Sequence, residues 1–296
     1  MHVAFIGAGN FGKAVSAALS KRNTVMLWDS VPGKVPDEKS IGEVVQNADI
    51  VFLAVPSLAV RQASAEIAAN LKENAIVVSV SKSLEAGTRM TADKILEETL
   101  KPEQPIAFMG GPMLAAEIAQ GKSAIAVCGT KHRNHFAIIR KAFKNSGIRV
   151  EHSSDISGVA ICGVLKNIYT LPIGIASGLD LGNNTVGWLA ARGFTEMQKL
   201  LPILGGKKKT LLSTAGIGDF VATSTSPHSM NHKAGEEIAK NGKTDIRSEG
   251  MVALPTLISI LGGDLKKFPV LKTLNEVVQQ QVKPSEAFHE LITGIK

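Results

Sequence analysis

Cysteine and aromatic side chains are what this chain has least of. Only Cys128 and Cys162 occur in 296 residues, which excludes a disulfide scaffold and points to a reducing compartment. Aromatic residues amount to 4%, so the core has to be aliphatic. The seven histidines are scattered and never join cysteines at zinc-site spacing, so no metal is expected. No run of about 18 apolar residues suggests a membrane span, and no internal repeat or low-complexity segment occurs. The first apolar run leads straight into a glycine loop, which is not the layout of a signal peptide; a cytoplasmic protein is the expectation. Net charge is +7, yet dense basic tracts and basic–aromatic interleaving are missing, so no nucleic-acid partner is expected. The one basic run, Lys207-Lys208-Lys209, follows two glycines and reads as a solvated loop. An anionic small substrate accounts for a mild positive excess equally well.

What is present is globular: 44% hydrophobic and 20% charged residues, in a length that suits one large or two medium domains. Residues 2–6 form a short apolar run of strand character. It ends in Gly7-Ala8-Gly9-Asn10-Phe11-Gly12, and a helical pattern follows from Lys13. A glycine pattern alone is weak, but between strand and helix it has the context of a dinucleotide-binding turn. The first glycine permits the tight bend, the second lets the backbone approach a pyrophosphate, and the third allows close helix–strand packing. A second strand, 24–28, ends at Asp29, about twenty residues past the loop, where a carboxylate accepts from ribose hydroxyls and repels a 2′-phosphate. That favours NAD over NADP. A solvated turn aspartate is the plain alternative, because Asp29-Ser30-Val31-Pro32-Gly33 is good turn chemistry.

Further strands are expected at 50–55, 75–80, 106–109, 124–128 and 148–151, with helical patterns between them. Near-continuous apolar strands alternating with helices imply a parallel sheet covered on both faces, with ligands beyond the carboxyl ends of its strands. Three of those ends carry unusual residues. Val55-Pro56-Ser57 would border the nicotinamide half of the cofactor. Ser81-Lys82-Ser83-Leu84-Glu85 puts a lysine just after the fourth strand, although a surface lysine fits there too. Gly110-Gly111-Pro112 turns into a helical stretch, through Ala115 and Glu117, whose free N–H groups could bind an oxyanion.

From about Ser153 the strand pattern stops and helical patterns take over. Residues 157–169 are apolar almost all round, the mark of a buried helix, yet Lys166 and Asn167 sit in the middle. A buried ammonium is costly without a partner. Gly163, one turn earlier, costs about 1 kcal/mol of helix stability relative to alanine and leaves room for a ligand. The alternative is a lysine snorkelling to the surface. Further on, Ala215-Gly216-Ile217-Gly218 delivers Asp219, with Thr223 one turn away on the same face; a helix N-cap is the plain reading of Asp219. Pro284 starts a closing helix.

In order and along the whole chain these motifs resemble those of the bacterial-type NAD(P)-dependent sn-glycerol-3-phosphate dehydrogenases. The matching pieces are Gly7 to Gly12, Ala54-Val55-Pro56-Ser57, Ser81 to Glu85, Gly111-Pro112 with Ala115 and Glu117, and Cys162-Gly163-Val164-Leu165-Lys166-Asn167. They continue with Arg192-Gly193 and Glu196-Met197, Ala215 to Asp219, and Glu249-Gly250. The resemblance implies an α/β chain with a doubly wound Rossmann domain, 1–153, and an all-helical domain, 154–296, of the 6-phosphogluconate-dehydrogenase type. It also implies a homodimer that binds NAD and a small substrate, interconverting dihydroxyacetone phosphate and glycerol 3-phosphate. Lys166 falls on the catalytic lysine, and Lys82 on a lysine that contacts substrate and cofactor. Asp219, Thr223 and Asn167 fall on positions that orient the lysine and the substrate hydroxyl. Gly111, Ser229 and Asn231 match substrate positions, and Asn10, Phe11, Pro56, Ala115 and Glu249 cofactor positions.

Three departures stand out. Met230 occupies the place of the family's arginine between Ser229 and Asn231, and methionine cannot replace a bidentate phosphate clamp. His232, Lys233 or Arg247 would have to supply the lost charge. Met113 replaces a small hydroxyl residue, and the stretch between Asp29 and Ala48-Asp49-Ile50 is shortened. A second reading is therefore a reductase of the ketopantoate or hydroxyisobutyrate kind. A third is a nucleotide-binding sensor, which would have no use for the lysine, asparagine and aspartate set.

Overall fold

Alternate residues of the N-terminal strands face two separate cores. In β1 (His2–Ile6), Val3 and Phe5 join Val15, Leu19, Phe52 and Val78 on one side, while Ala4 and Ile6 join Val51, Leu53, Ile67 and Val77 on the other. Phe5 stacks on Phe52 at 4.7 Å, and Phe143 meets Phe52 edge-on at 5.9 Å. Burial on both faces is why these strands read as continuous apolar runs. The computed structural model describes residues 1–36, 39–82 and 84–294; Ser83, part of one matching motif, lies outside them.

The other strands are β2 (Thr24–Trp28), β3 (Ile50–Leu53), β4 (Ile76–Ser79), β5 (Ile106–Gly110), β6 (Ala124–Gly129) and β7 (Ile148–Ser153). They form one sheet in the order β2-β1-β3-β4-β5-β6-β7. The first five strands are parallel, as expected. However, β6 runs antiparallel to β5, with β7 parallel to β6, so the fully parallel sheet read from the sequence is corrected. Strand direction depends on the connection. Between β5 and β6 the only helix is the five-residue Ala115–Ala119, and the chain returns alongside β5 without crossing over. A strand buried on both faces has the same apolar signature in either direction.

By contacts the chain divides into two compact units, residues 1–85 with 90–161, and residues 86–89 with 162–296. The division falls inside one helix, Ile156–Gly178, because its first turns pack on the sheet: the Val159 side chain lies against Gly110 and Gly129, and the Ser157 hydroxyl donates to Asp93. The Asp155 carboxylate accepts from Gly158 N–H and caps the helix start. This helix is long and apolar enough to cross a membrane, but its most apolar stretch is wholly buried in the protein, so the core accounts for its hydropathy. Lys208 and Lys209 lie in a one-turn helix, Lys208–Leu211, rather than a loop, with the lysine side chains exposed.

In the second unit, helix Met230–Asn241 touches helix Ile156–Gly178 backbone to backbone. A Cβ on Gly174 would stand 2.1 Å from the His232 carbonyl oxygen, and one on Gly235 2.3 Å from that of Leu171. Only glycines allow this approach, and it brings Asn231 up to Asn167. No sequence motif marked Gly174 or Gly235.

Candidate active site

The residues singled out in the sequence fall into two groups, one in each unit. In the first unit the strand order reverses at β1, whose neighbours are β2 and β3, and the glycine loop leaves β1 at that point. This is where ligands of doubly wound sheets bind. Gly7 has φ +109°, and a Cβ there would stand 2.5 Å from the Ala54 carbonyl oxygen at the end of β3. A Cβ on Gly12 would stand 2.0 Å from the Gly7 carbonyl oxygen. Gly9 has nothing within 4 Å of its Cβ position. Two glycines of the three are demanded by packing, and the middle one faces open space, as a cradle for a pyrophosphate requires. Asn10 and Phe11 open helix Asn10–Ser20, whose start has no side-chain cap, leaving its first N–H groups available to an anion. These residues fit a dinucleotide.

Asp29 closes β2 and accepts from Ala8 N–H at 2.8 Å, tying the glycine loop to the second strand. It also accepts from Val31 N–H at 3.0 Å and pairs with Lys34 at 3.2 Å. Burial pushes its pKa up, but the hydrogen bonds from Val31, Ala8 and Lys34 outweigh this and hold it below the ordinary aspartate value. The carboxylate thus carries its charge under an exposed ammonium, and the repulsion of a 2′-phosphate expected from Asp29 is offset. The spacing of Asp29 in the sequence gave no sign of Lys34.

Pro56 precedes a short 3₁₀ turn, Ser57–Ala59, and the Ser81 hydroxyl donates to the Val55 carbonyl at 2.6 Å. The ends of β3 and β4 are therefore tied together, which places Pro56 and Lys82 on neighbouring segments. Arg61 anchors the other end of that segment through hydrogen bonds to Glu85 at 2.8, 2.9 and 3.1 Å. Gly111 follows β5 with φ +98°. Helix Ala115–Ala119 has only five residues, so its dipole is weaker than the oxyanion reading supposed.

In the second unit the buried lysine has found its partners. Lys166 Nζ donates to Thr223 Oγ1 at 2.5 Å and lies 3.1 Å from Asp219 Oδ1, and Thr223 Oγ1 donates to the same Asp219 oxygen at 3.2 Å. Lys166, Asp219 and Thr223 are 5%, 2% and 2% exposed, so neither the snorkelling lysine nor the plain N-cap describes them. Asp219 opens helix Asp219–Thr225 straight after a π-helical turn, Thr214–Gly218. π-Helical turns are uncommon and often occur at functional sites. Beside Lys166, Asn167 Oδ1 accepts from Asn231 Nδ2 at 3.0 Å, and Asn231 Oδ1 accepts from Gly250 N–H at 2.8 Å. Ser229 caps helix Met230–Asn241 by accepting from His232 N–H at 3.2 Å. Met230 is 52% exposed. Glu249 opens helix Glu249–Leu261. The structure thus gathers Lys166, Asn167, Asp219, Thr223 and Asn231 with Gly250, whose part no spacing argument had indicated.

Comparison with known proteins now bears on this geometry. The sequence model of the NAD-dependent glycerol-3-phosphate dehydrogenase C-terminus matches residues 155–289, and that of the N-terminus residues 30–136. A glycerol-3-phosphate dehydrogenase [NAD(P)+] of Agathobacter rectalis is 32% identical over 98% of this chain and 95% of its own length. The chain belongs to the NAD-dependent glycerol-3-phosphate dehydrogenase family. It is an oxidoreductase. A second family member, from Fusobacterium nucleatum, is 30% identical over 98% of this chain and 96% of its own. The glycerol-3-phosphate dehydrogenase structure from Coxiella burnetii superposes with a TM-score of 0.88 at 23% identity, covering 99% of this chain and 98% of that one. A ketopantoate reductase from Ralstonia eutropha reaches 0.58 at 18% identity over 97% and 99%, a likeness of fold.

Proposed function

We propose that this dehydrogenase interconverts dihydroxyacetone phosphate and sn-glycerol 3-phosphate, with Lys166 as the proton donor. The observation that carries the reading is the buried cluster of Lys166, Asp219 and Thr223 in a chain of this family. Bound nicotinamide dinucleotide supplies or takes up the hydride. As the ketone is reduced, charge develops on its oxygen, and the Lys166 ammonium stabilises that charge and passes a proton to it. Asp219 supplies the counter-charge, and Thr223, bonded to both, fixes where Nζ stands. Lys82, Gly111 and Ser229 keep the substrate roles that the resemblance implies, and Gly7, Gly9, Asn10, Phe11, Gly12, Asp29, Pro56, Ala115 and Glu249 the cofactor roles. NADH oxidation compared on dihydroxyacetone phosphate, unphosphorylated dihydroxyacetone and 2-keto acids tests the substrate. No preference for the phosphorylated ketone would sink the reading and favour the ketopantoate-type alternative. A cytoplasmic homodimer accords with the resemblance, and light scattering on the purified protein reads its mass.

Met230 weakens the phosphate end of this reading. An arginine there would add charge-assisted hydrogen bonds, which contribute about 1.5–3 kcal/mol each. Met230→Arg is expected to lower KM for dihydroxyacetone phosphate by about tenfold or more while leaving KM for dihydroxyacetone unchanged. An equal change on both substrates would mean position 230 does not meet the phosphate.

Cofactor choice is expected to depend on Lys34. Lys34→Ala uncovers the Asp29 charge, so Kd for NADPH should rise at least fivefold relative to NADH, about 1 kcal/mol, as read by nucleotide fluorescence titration. An unchanged ratio would mean the Asp29–Lys34 pair does not face the 2′ position.

A further inference from the structure

The positive charge of this chain is confined to one stretch. Between Ile118 and Val150 stand seven lysines and arginines and no aspartate or glutamate. Elsewhere basic and acidic residues balance at 26 each, so this segment accounts for the whole net charge of +7, and no candidate site residue lies in it. The fold gathers that charge on one side of the sheet unit. Helix Arg133–Ala142 buries Ile139 and Ala142 and turns Arg140 and Lys141 outward, with Lys144 exposed just past its end. Arg149, exposed on the edge strand β7, stands with them around a groove of about 610 Å³ whose floor is the buried Phe143, Ile148 and Val150. Arg22 joins from the start of the chain, its guanidinium 3.2 Å from the Asn145 side-chain amide beside the same groove. It follows helix Asn10–Ser20, whose 11 residues set it about 16 Å along the axis from the glycine loop, so the patch is not the cofactor cradle.

The state of these cations identifies what they meet. Among the described residues the side chains of Arg140, Lys141 and Lys144 make no ion pair and no hydrogen bond; Arg140 lies over the Phe136 ring at 5.5 Å, and Arg149 reaches Glu151 at 3.7 Å. Nothing fixes the three in the set geometry that a small anion needs for a multi-point grip. Long, unanchored cations suit a fluid array of negative headgroups, which asks for charge and not for an arrangement. No phenylalanine, tyrosine or tryptophan ring is exposed there on which a nucleic-acid base could stack. The large apolar side chain the helix does expose is Ile138, one turn before Lys141, and an aliphatic group among cations is the composition of a surface that rests in headgroups. We infer that this face is a docking surface for a lipid bilayer rich in anionic headgroups, on which the protein lies without entering the hydrocarbon. The balanced remainder of the chain exerts no competing pull, so the molecule approaches with this face first. The inference does not depend on the substrate proposed above.

Flotation of the full chain with vesicles reads the binding. Vesicles of equal parts phosphatidylglycerol and phosphatidylcholine should carry the wild type at about 50 mM salt and release it at about 500 mM, while phosphatidylcholine alone carries none. Arg140→Gln/Lys141→Gln/Lys144→Gln should lower the partition coefficient about a hundredfold, three cations at about 1 kcal/mol each. This variant should melt with the wild type, since exposed substitutions of this kind rarely move stability. Lys208→Gln/Lys209→Gln/Lys266→Gln removes the same charge from exposed positions of the helical unit and should bind within about threefold of the wild type. No binding at low salt, equal binding to neutral vesicles, or equal losses in the two triple variants would each overturn the inference. Preference for duplex DNA over the vesicles at equal phosphate concentration would assign the patch to nucleic acid instead. Displacement by inorganic phosphate beyond that by sodium chloride of equal ionic strength would make the groove a site for a free anion.

Discussion

Lys166→Met lowers kcat by about 10²–10⁴, the usual loss when general acid catalysis is removed, with the larger share of the effect in kcat rather than KM. Retention of kcat to within about tenfold would show that another group delivers the proton. The substitution has a second consequence, because it takes the ammonium away from a carboxylate that is 2% exposed. Breaking a buried pair from one side costs about 3–5 kcal/mol, much of it the burden of the remaining charge. The single variant is therefore expected to be inactive and also less stable. Lys166→Met/Asp219→Asn removes both charges and keeps the volume and the Thr223 contact. It should regain most of the lost stability, or exceed the wild type, while staying inactive. Activity and stability separate in this pair of variants. If the double variant melted as low as the single one, the loss would come from packing and not from the uncompensated charge. The general expectation is that a site of this kind is kept for its chemistry at some cost in stability.

Glu196→Ala is expected to destabilise the helical unit by about 3–5 kcal/mol, because it orphans three buried donors at once. Glu196 accepts from the Tyr169 hydroxyl at 2.8 Å and from Val270 and Leu271 N–H at 2.8 and 3.1 Å. Helix Pro269–Val278 has no side-chain cap of its own, and its first N–H is absent because Pro269 stands there. A carboxylate from helix Gly182–Ile203 thus caps it from a distance, while Tyr169 ties the same group to the helix of Lys166. Unfolding followed by calorimetry or urea reads the loss, and an effect under about 1 kcal/mol would mean water replaces the carboxylate without cost. The pH dependence carries a definite sign. Burial raises the Glu196 pKa, and the hydrogen bonds from Val270, Tyr169 and Leu271 only partly oppose this. The folded chain then holds this proton more tightly than the unfolded chain does. The group's contribution is fully present below the ordinary glutamate value and declines as pH rises toward the raised one. Glu196→Gln, which does not titrate, should accordingly be more damaging near pH 5 than near pH 8. A difference from wild type that stays constant across that range would contradict the shift.

Much of this protein is legible without coordinates, for reasons that differ from residue to residue. Gly7, Gly9 and Gly12 are local: strand, turn and helix lie within about a dozen residues, and the pattern states its own context. Lys166 is visible because an ammonium in a helix apolar all round is an anomaly that demands a partner. Asp219 and Thr223 share a face through helical spacing alone. These features need only periodicity, backbone geometry and the cost of burying charge, all of which a one-dimensional chain displays.

What only the tertiary structure decided depends on groups far apart in the chain. The reversal of β6, which carries β7 with it, is invisible because an apolar strand pattern reads the same in either direction. The neutralising reach of Lys34 over Asp29 depends on the path of one turn. Gly174 and Gly235 look like ordinary helix glycines until two backbones are brought together. Asn167 is bonded to Asn231, sixty-four residues away in the chain, and Asn231 in turn to Gly250. Sequence fixes which groups can donate and accept, but which of them meet is determined only when both ends are in place.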